Sequence, residues 1–353
     1  TAIDDGTPGA GGNLITASKL ALSAVGGIDV NLAVTLVAAA STTSNNIRID
    51  DTSTTDVSTF GGVTGISTVN GTVTLVSGGT ITLSSAITGG NSGAVSLTST
   101  AGQINDAAND ATANITTGGA VSLTAASGIG VSNGTVDLDV VTVTLATSGT
   151  GGVALNLLDG NNGGVANTEI TATTSGDITV EATTGTNTFT FTTVTAADGT
   201  ITLSSALGDI TAVALTTSNT ADKNIVVTVS AANQLFTHAS GAIASNGGDI
   251  TISADQITLS GGTIASVAGD VRLRPTDTAT LIDIGAGATD SDTVLGLTDA
   301  ELNTITTRSS NAIIVRATAV TGGTTVARAL HLPASGRPTL AVATLHTAAA
   351  ASS

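Results

Sequence analysis

Internal repetition constrains this chain more than any other feature. The string GTITLSSA runs from Gly79 to Ala86 and returns from Gly199 to Ala206, and GAVSLT runs from Gly93 to Thr98 and returns from Gly119 to Thr124. Looser copies recur as GIDVNL from Gly27, NIRID from Asn46, GTVTL from Gly71, GDITV from Gly176, GDITI from Gly248 and GDVRL from Gly269. In each, Gly, Asn or Asp precedes an apolar-polar alternation built on β-branched residues. That alternation marks a half-buried strand, and Gly, Asn and Asp supply the backbone conformations tight turns demand. Asn-Gly pairs at Asn70, Asn133 and Asn246 are turn signals of the same kind.

Spacing sets the architecture. Repeats opening at Gly176, Gly199, Asn224, Gly248 and Gly269 lie roughly 21–25 residues apart, a solenoid period. Further strand signals at Gly208 and Gln256 predict two or three short strands per coil. One such coil cannot bury a face alone. Stacking coils at about 4.8 Å pairs each backbone with its neighbours and makes a continuous core. The expected fold class is therefore all-β, a single-stranded parallel β-solenoid. Within it, residues 1–12 read as a linker or extended arm, 13–324 as solenoid repeats, and 325–353, where the repeat fades, as an atypical cap or tail.

Composition agrees. The 353 residues include no Cys, Met, Trp or Tyr. The core must therefore come from Val, Ile, Leu, Ala and Thr, which suit a thin, regular interior. The four Phe (Phe60, Phe189, Phe191 and Phe236) are expected as core stacks, with Phe189 and Phe191 on one face. Thr at outward positions suits a solvated sheet face. Helix signals are poor, except that Leu297–Leu302 (LTDAEL) places a cap-like Thr-Asp before Ala-Glu-Leu and predicts a single turn.

Net charge is −17, from 26 acidic against 9 basic residues. An acidic surface argues against nucleic acid as a partner and against docking on anionic lipid. The most apolar stretch, Leu32 to Ala40, is about half the length of a membrane-spanning helix, so no membrane insertion is expected. Without Cys there are no disulfides or thiolate metal sites. The start at Thr1, with no signal peptide in view, is expected of a processed protein or a piece of a longer one.

The region Gly269 to Val315 carries a more specific pattern. It runs GDVRLRPTDTATLIDIGAG, then LGLTDAELNTITT, then NAIIV. The matching positions are Val271, Leu273, Arg274 and Pro275; Ile282, Asp283 and Gly285; and Leu297, Thr298, Asp299, Ala300, Glu301 and Leu302. Together with the shorter repeats, it resembles the filamentous haemagglutinin-type repeat adhesins, bacterial β-helical exoproteins. The resemblance implies a right-handed β-helix, a secreted or cell-surface location, and no active site.

Four site readings follow. Gly-Asp steps at Asp177, Asp209, Asp249 and Asp270 each open a strand. Stacked in one column, their carboxylates would repel unless a hard cation, calcium, bridged them; the alternative is a local Asx turn facing water. The nonapeptide of calcium-binding β-rolls is absent. Asp270, Arg272, Arg274 and Asp283 form the best cluster for polysaccharide cleavage, but they read more simply as a solvated arginine pair balancing nearby acids, since acid–base work needs a tuned pair in a cleft. His238, His331 and His346 lack metal-ligand spacing, and His238 reads as an ordinary strand residue. Carbohydrate platforms of Trp or Tyr are missing.

The expectation is a structural or adhesive extracellular solenoid, non-catalytic, acting as a surface adhesin stalk. The alternative is a self-assembling fibre or sheath subunit joined through unpaired solenoid edges or terminal arms. The expected partners are further copies, neighbouring domains of a longer exoprotein, or a cell-surface ligand.

Overall fold

A computed structural model describes residues 1–5, 14–132, 134–158, 167–307, 312–315 and 332–333. The chain divides into two compact units, Thr1–Gly185 and Thr186–Ser353. Each is a parallel β-solenoid with coils of about 23 residues.

In the first unit the repeats lie directly upon one another. Ile28 pairs with Ile47, Ile47 with Val73, Val73 with Val95, Val95 with Val121, and Val121 with Val143. Two residues on, Val30, Ile49, Leu75, Leu97, Leu123 and Leu145 make a second inward column in the same register. All twelve are buried, while the intervening Thr74, Ser96 and Ser122 are half-exposed. This is the period-two alternation of a sheet with one buried face. Two further strand columns complete each coil. One stacks Leu22, Ala39, Ile66, Ile87, Ile115 and Leu138; the other stacks Val57 with Leu83, and Ile81 with Ile104, Ile129 and Val153. Identical or near-identical aliphatic side chains thus touch from coil to coil, and a core without large aromatics still packs.

The second unit repeats the scheme. Ile201, Ile225, Ile250, Val271 and Ile313 form one column, and Val194, Leu215, Ile243, Ile264 and Ile305 another. Phe189, Ile210, Phe236 and Ile257 form the third. Phe189, Phe191 and Phe236 are fully buried, as expected. Between Arg274 and Ile305 the chain leaves the coil in an excursion. It contains the parallel strand pair Leu281–Ile284 and Val294–Leu297 and a single helical turn, Asp299–Leu302, capped by Thr298.

Phe60 departs from expectation: it is 39% exposed. It sits on a small antiparallel hairpin, Thr59–Phe60 with Val63–Thr64, turned by Gly61 (φ +58) and Gly62 (φ +82). Two positive-φ residues suit a tight hairpin turn, and the hairpin lifts Phe60 off the coil. There the Lys19 ammonium lies 5.9 Å from its ring centroid. Within the expected amino-terminal arm, Ile3 and Asp4 pair with Ile28 and Asp29; residues 6–13 and nearly all of 325–353 lie outside the described residues. Among the described residues, no helix is long and apolar enough to cross a membrane; the apolar stretch Leu32 to Ala40 falls on two strands, Ile28–Ala33 and Leu36–Ser41.

Candidate functional site

At five strand entrances the residue before the strand proves to be a working position. Its side-chain oxygen accepts the backbone N–H of the equivalent residue one coil later. Asn46 does this for Thr72 (3.0 Å), Asn114 for Asp137 (2.8 Å), Asp209 for Leu235 (2.8 Å), Asn224 for Asp249 (2.8 Å) and Asp249 for Asp270 (2.7 Å). Asn and Asp at the strand entrance thus tie coil to coil, instead of closing a local turn.

The four acidic residues read as calcium candidates do not make one column. Asp177 precedes the strand Ile178–Ala182, and its carbonyl accepts from Val153 (2.8 Å); the residue one coil earlier is Gly152, because Val153 pairs with Ile178. Asp209 belongs to the phenylalanine column. Only Asp249 and Asp270 occupy successive coils of one column. Arg272 reaches between them, donating from Nη1 to Asp249 and from Nη2 to Asp270 (2.8 Å), so a guanidinium already screens that pair. Arg274 donates from Nε to Ser253 Oγ (2.8 Å). Asp283 lies apart, on the strand pair of the excursion. His238 is buried, its Nδ1 2.8 Å from the Ala212 carbonyl oxygen; His331 and His346 lie outside the described residues.

Two groupings were not foreseen. In the first unit, buried polar side chains run through several coils. Asn114 Nδ2 donates to Asp106 (2.8 Å), Asn156 Nδ2 donates to Asp137 (2.5 Å), and Thr183 Oγ1 donates to Asn156 (2.7 Å). Asp106 and Asp137 are buried, and each keeps one carboxylate oxygen without a hydrogen bond. Burial pushes the Asp137 carboxyl up to about 6, opposed by the Asn156 bond and reinforced by Asp106 and Asp110.

The second lies in the second unit, where the excursion leans on the solenoid and leaves an open hollow of about 480 Å³. Leu259, Ala288 and Ala300 give it apolar walls, and Asp290 and Glu301 bring two carboxylates. Glu301 closes a capping box: its Oε2 accepts from Thr298 N (2.9 Å) and Oγ1 (2.8 Å), while Thr298 Oγ1 accepts from Glu301 N (3.3 Å). Its Oε1 reaches the solenoid, accepting from Leu259 N (3.0 Å). Asp290 Oδ1 accepts from Gly296 N (2.8 Å). Burial pushes the Asp290 carboxyl up to about 6, with Glu301 adding to the rise and the Gly296 and Ile257 amides opposing it. Sequence signalled Glu301 through its capping spacing; Asp290, in the polar run Thr289 to Asp292, gave no sign. Among the described residues, no three His, Cys, Asp or Glu side chains gather as a metal site.

Fold and geometry define the chain as a parallel β-solenoid protein. Comparison with protein-family models, curated proteins and solved structures yielded no match for the chain.

Proposed function

We propose that this chain is a non-catalytic, extracellular structural and adhesive solenoid that acts as a surface stalk. The observation that carries the reading is the in-register ladder in both units, where aliphatic residues stack inward and Thr and Ser face outward. Such an arrangement spends the sequence on a continuous scaffold. The likeness of Gly269 to Val315 to haemagglutinin-type repeats supports the adhesive, cell-surface part of the reading. Against catalysis weighs the fate of the best polar cluster: Arg272 is committed to Asp249 and Asp270, and Asp283 stands on a separate sheet.

A fibre subunit is the second reading, favoured by one feature. Among the described residues, Lys19–Ala24 pairs with Leu36–Ser41, and its other edge would suit a further strand, from a second copy or from a neighbouring coil of a longer chain. Sedimentation velocity over a wide concentration range separates the two: a stalk stays monomeric, a fibre subunit grows. Incubation with polysaccharides is expected to release no reducing ends, and their release would overturn both readings. Beads coated with the chain are expected to bind cell surfaces more than albumin-coated beads do.

A further inference from the structure

We propose that the strand Leu332–Pro333 is a strap over the edge of the last rung, and that its release lets two copies of the chain join tail to tail through Ala312–Val315. The proposal goes beyond the stalk reading and does not rest on it.

The edge is the first argument. Among the described residues, Ala312–Val315 (AIIV) is the last parallel rung of its column, with Ile313 on Val271 and Val315 on Leu273. A strand has backbone donors and acceptors along both sides, so the side turned away from Val271–Arg274 is a template for a further strand. Four consecutive apolar residues without a charge make a strand of the kind that recruits one.

The strap is the second argument. Leu332–Pro333 lies on this edge, with Pro333 opposite Ala312 and Leu332 opposite Ile313, and it runs antiparallel. The joins beneath it, from Ile225–Val229 through Ile250–Ser253 and Val271–Arg274 to Ala312–Val315, are parallel. The strap thus reverses the ladder instead of extending it. Its composition suits a stop: proline has no N–H to offer, and within sheets it is confined to edges, strand starts and bulges. The strap is also slight. It pairs with two of the four residues of the rung, and one of its own two brings no backbone donor. A strand that pairs with more of the rung displaces it.

A second copy supplies such a strand. The pairing seen at this edge is antiparallel, and a two-fold axis presents the same rung of another copy in that direction. With the axis at position 314, Ile313 of each chain stands opposite Val315 of the other. Both residues are buried in the solenoid, so the two cores meet on one face of the joined sheet. The contact is self-complementary and closes at two copies, whereas a head-to-tail joint runs on.

Sedimentation velocity of full-length variants tests this. Leu332→Pro removes the one N–H of the strap and is expected to dimerise with a Kd at least about tenfold below that of the wild-type chain, because a closed strap leaves only a small fraction able to associate. Its unfolding midpoint should match the wild type. In the same variant, Ala312→Cys with Pro333→Cys joins positions that face each other, within disulfide reach. Oxidised when dilute, that chain should stay monomeric, and dithiothreitol should return it to dimers. Ile314→Cys in the Leu332→Pro chain should give a disulfide-linked dimer on oxidation, while Thr202→Cys should not. A Leu332→Pro chain no more associated than the wild type, a stapled chain that dimerises like the reduced one, growth past two copies, or no cross-link through position 314 would each overturn the proposal.

Discussion

At the scale of single residues, buried polar atoms carry more of the architecture than their number suggests. Many strands end in an inward Ser or Thr, with Gly three residues on. The hydroxyl accepts the Gly N–H: Gly71 to Thr68 (3.2 Å), Gly102 to Ser99 (3.1 Å), Gly208 to Ser205 (3.0 Å), Gly248 to Ser245 (2.9 Å) and Gly269 to Ser266 (2.9 Å). Several also donate to a carbonyl of the preceding coil, as Ser266 does to Gly248 (3.0 Å) and Ser245 to Lys223 (3.1 Å). Removing one such hydroxyl leaves a buried amide unpaired. Ser245→Ala is expected to cost about 1–3 kcal/mol, against within about 0.5 kcal/mol for the half-exposed Ser204→Ala, both read from denaturant unfolding. Asp137 has the opposite character. Its folded carboxyl is raised to about 6, above the unfolded value of about 3.9. Its contribution is therefore fully present below pH 4 and is lost as pH rises through 6. Relative to Asp137→Asn, the wild-type chain is expected to lose up to about 3 kcal/mol between pH 4 and pH 7.5. Parallel pH curves for the two proteins would show that the Asp137 charge is not buried as described.

At the scale of elements, the strands were legible and the corners were not. Gly-Thr-Ile-Thr-Leu announces a strand because period two and β-branching act locally, and the capping box of Thr298 and Glu301 announces a helical turn for the same reason. What a strand-entrance Asp does depends on the residue one coil away, and no local pattern holds that information. Asp249 and Asp209 looked alike in sequence, yet they stand in different columns and only Asp249 meets an arginine. The Ser-to-Gly corner spacing was present in the sequence as a local bond, but the hydroxyl's second bond, to a carbonyl of the preceding coil, has no local pattern. Asp290 was illegible because its setting is created by the excursion folding back on the solenoid. Glycine corners show how tight these approaches are. At Gly90 (φ +69) a Cβ would collide with the Val69 carbonyl oxygen, so Gly90→Ala is expected to destabilise the first unit by more than about 1 kcal/mol, as a lowered unfolding midpoint would show. The excursion is fastened separately. Glu301→Ala removes the acceptor of Leu259 N and half the capping box, and hydrogen exchange is expected to quicken across Val294–Leu297 and Asp299–Leu302. Protection of Ile250–Ser253 should stay as it was; if it fell equally, the excursion would be part of the ladder's own stability.

At the scale of the whole molecule, each unit follows from one rule, that a coil unable to bury its own face must lie on its neighbours. Thin aliphatic columns replace an aromatic core, and the outward faces are left to Thr, Ser and dilute acidic charge. The register of that stacking is the central claim, and a chain with no cysteine allows it to be read covalently. Thr74 stands opposite Ser96, and Thr202 opposite Val226, all four half-exposed. Neighbouring strands place such pairs about 5 Å apart, while a partner two residues along lies about 8 Å away, beyond the reach of a disulfide. Under mild oxidation, the pairs Thr74→Cys with Ser96→Cys and Thr202→Cys with Val226→Cys should each close an intramolecular disulfide. Thr74→Cys with Thr98→Cys, and Thr202→Cys with Thr228→Cys, should remain reduced. Equal closure of matched and shifted pairs, or closure of the shifted pairs alone, would contradict the parallel in-register ladder.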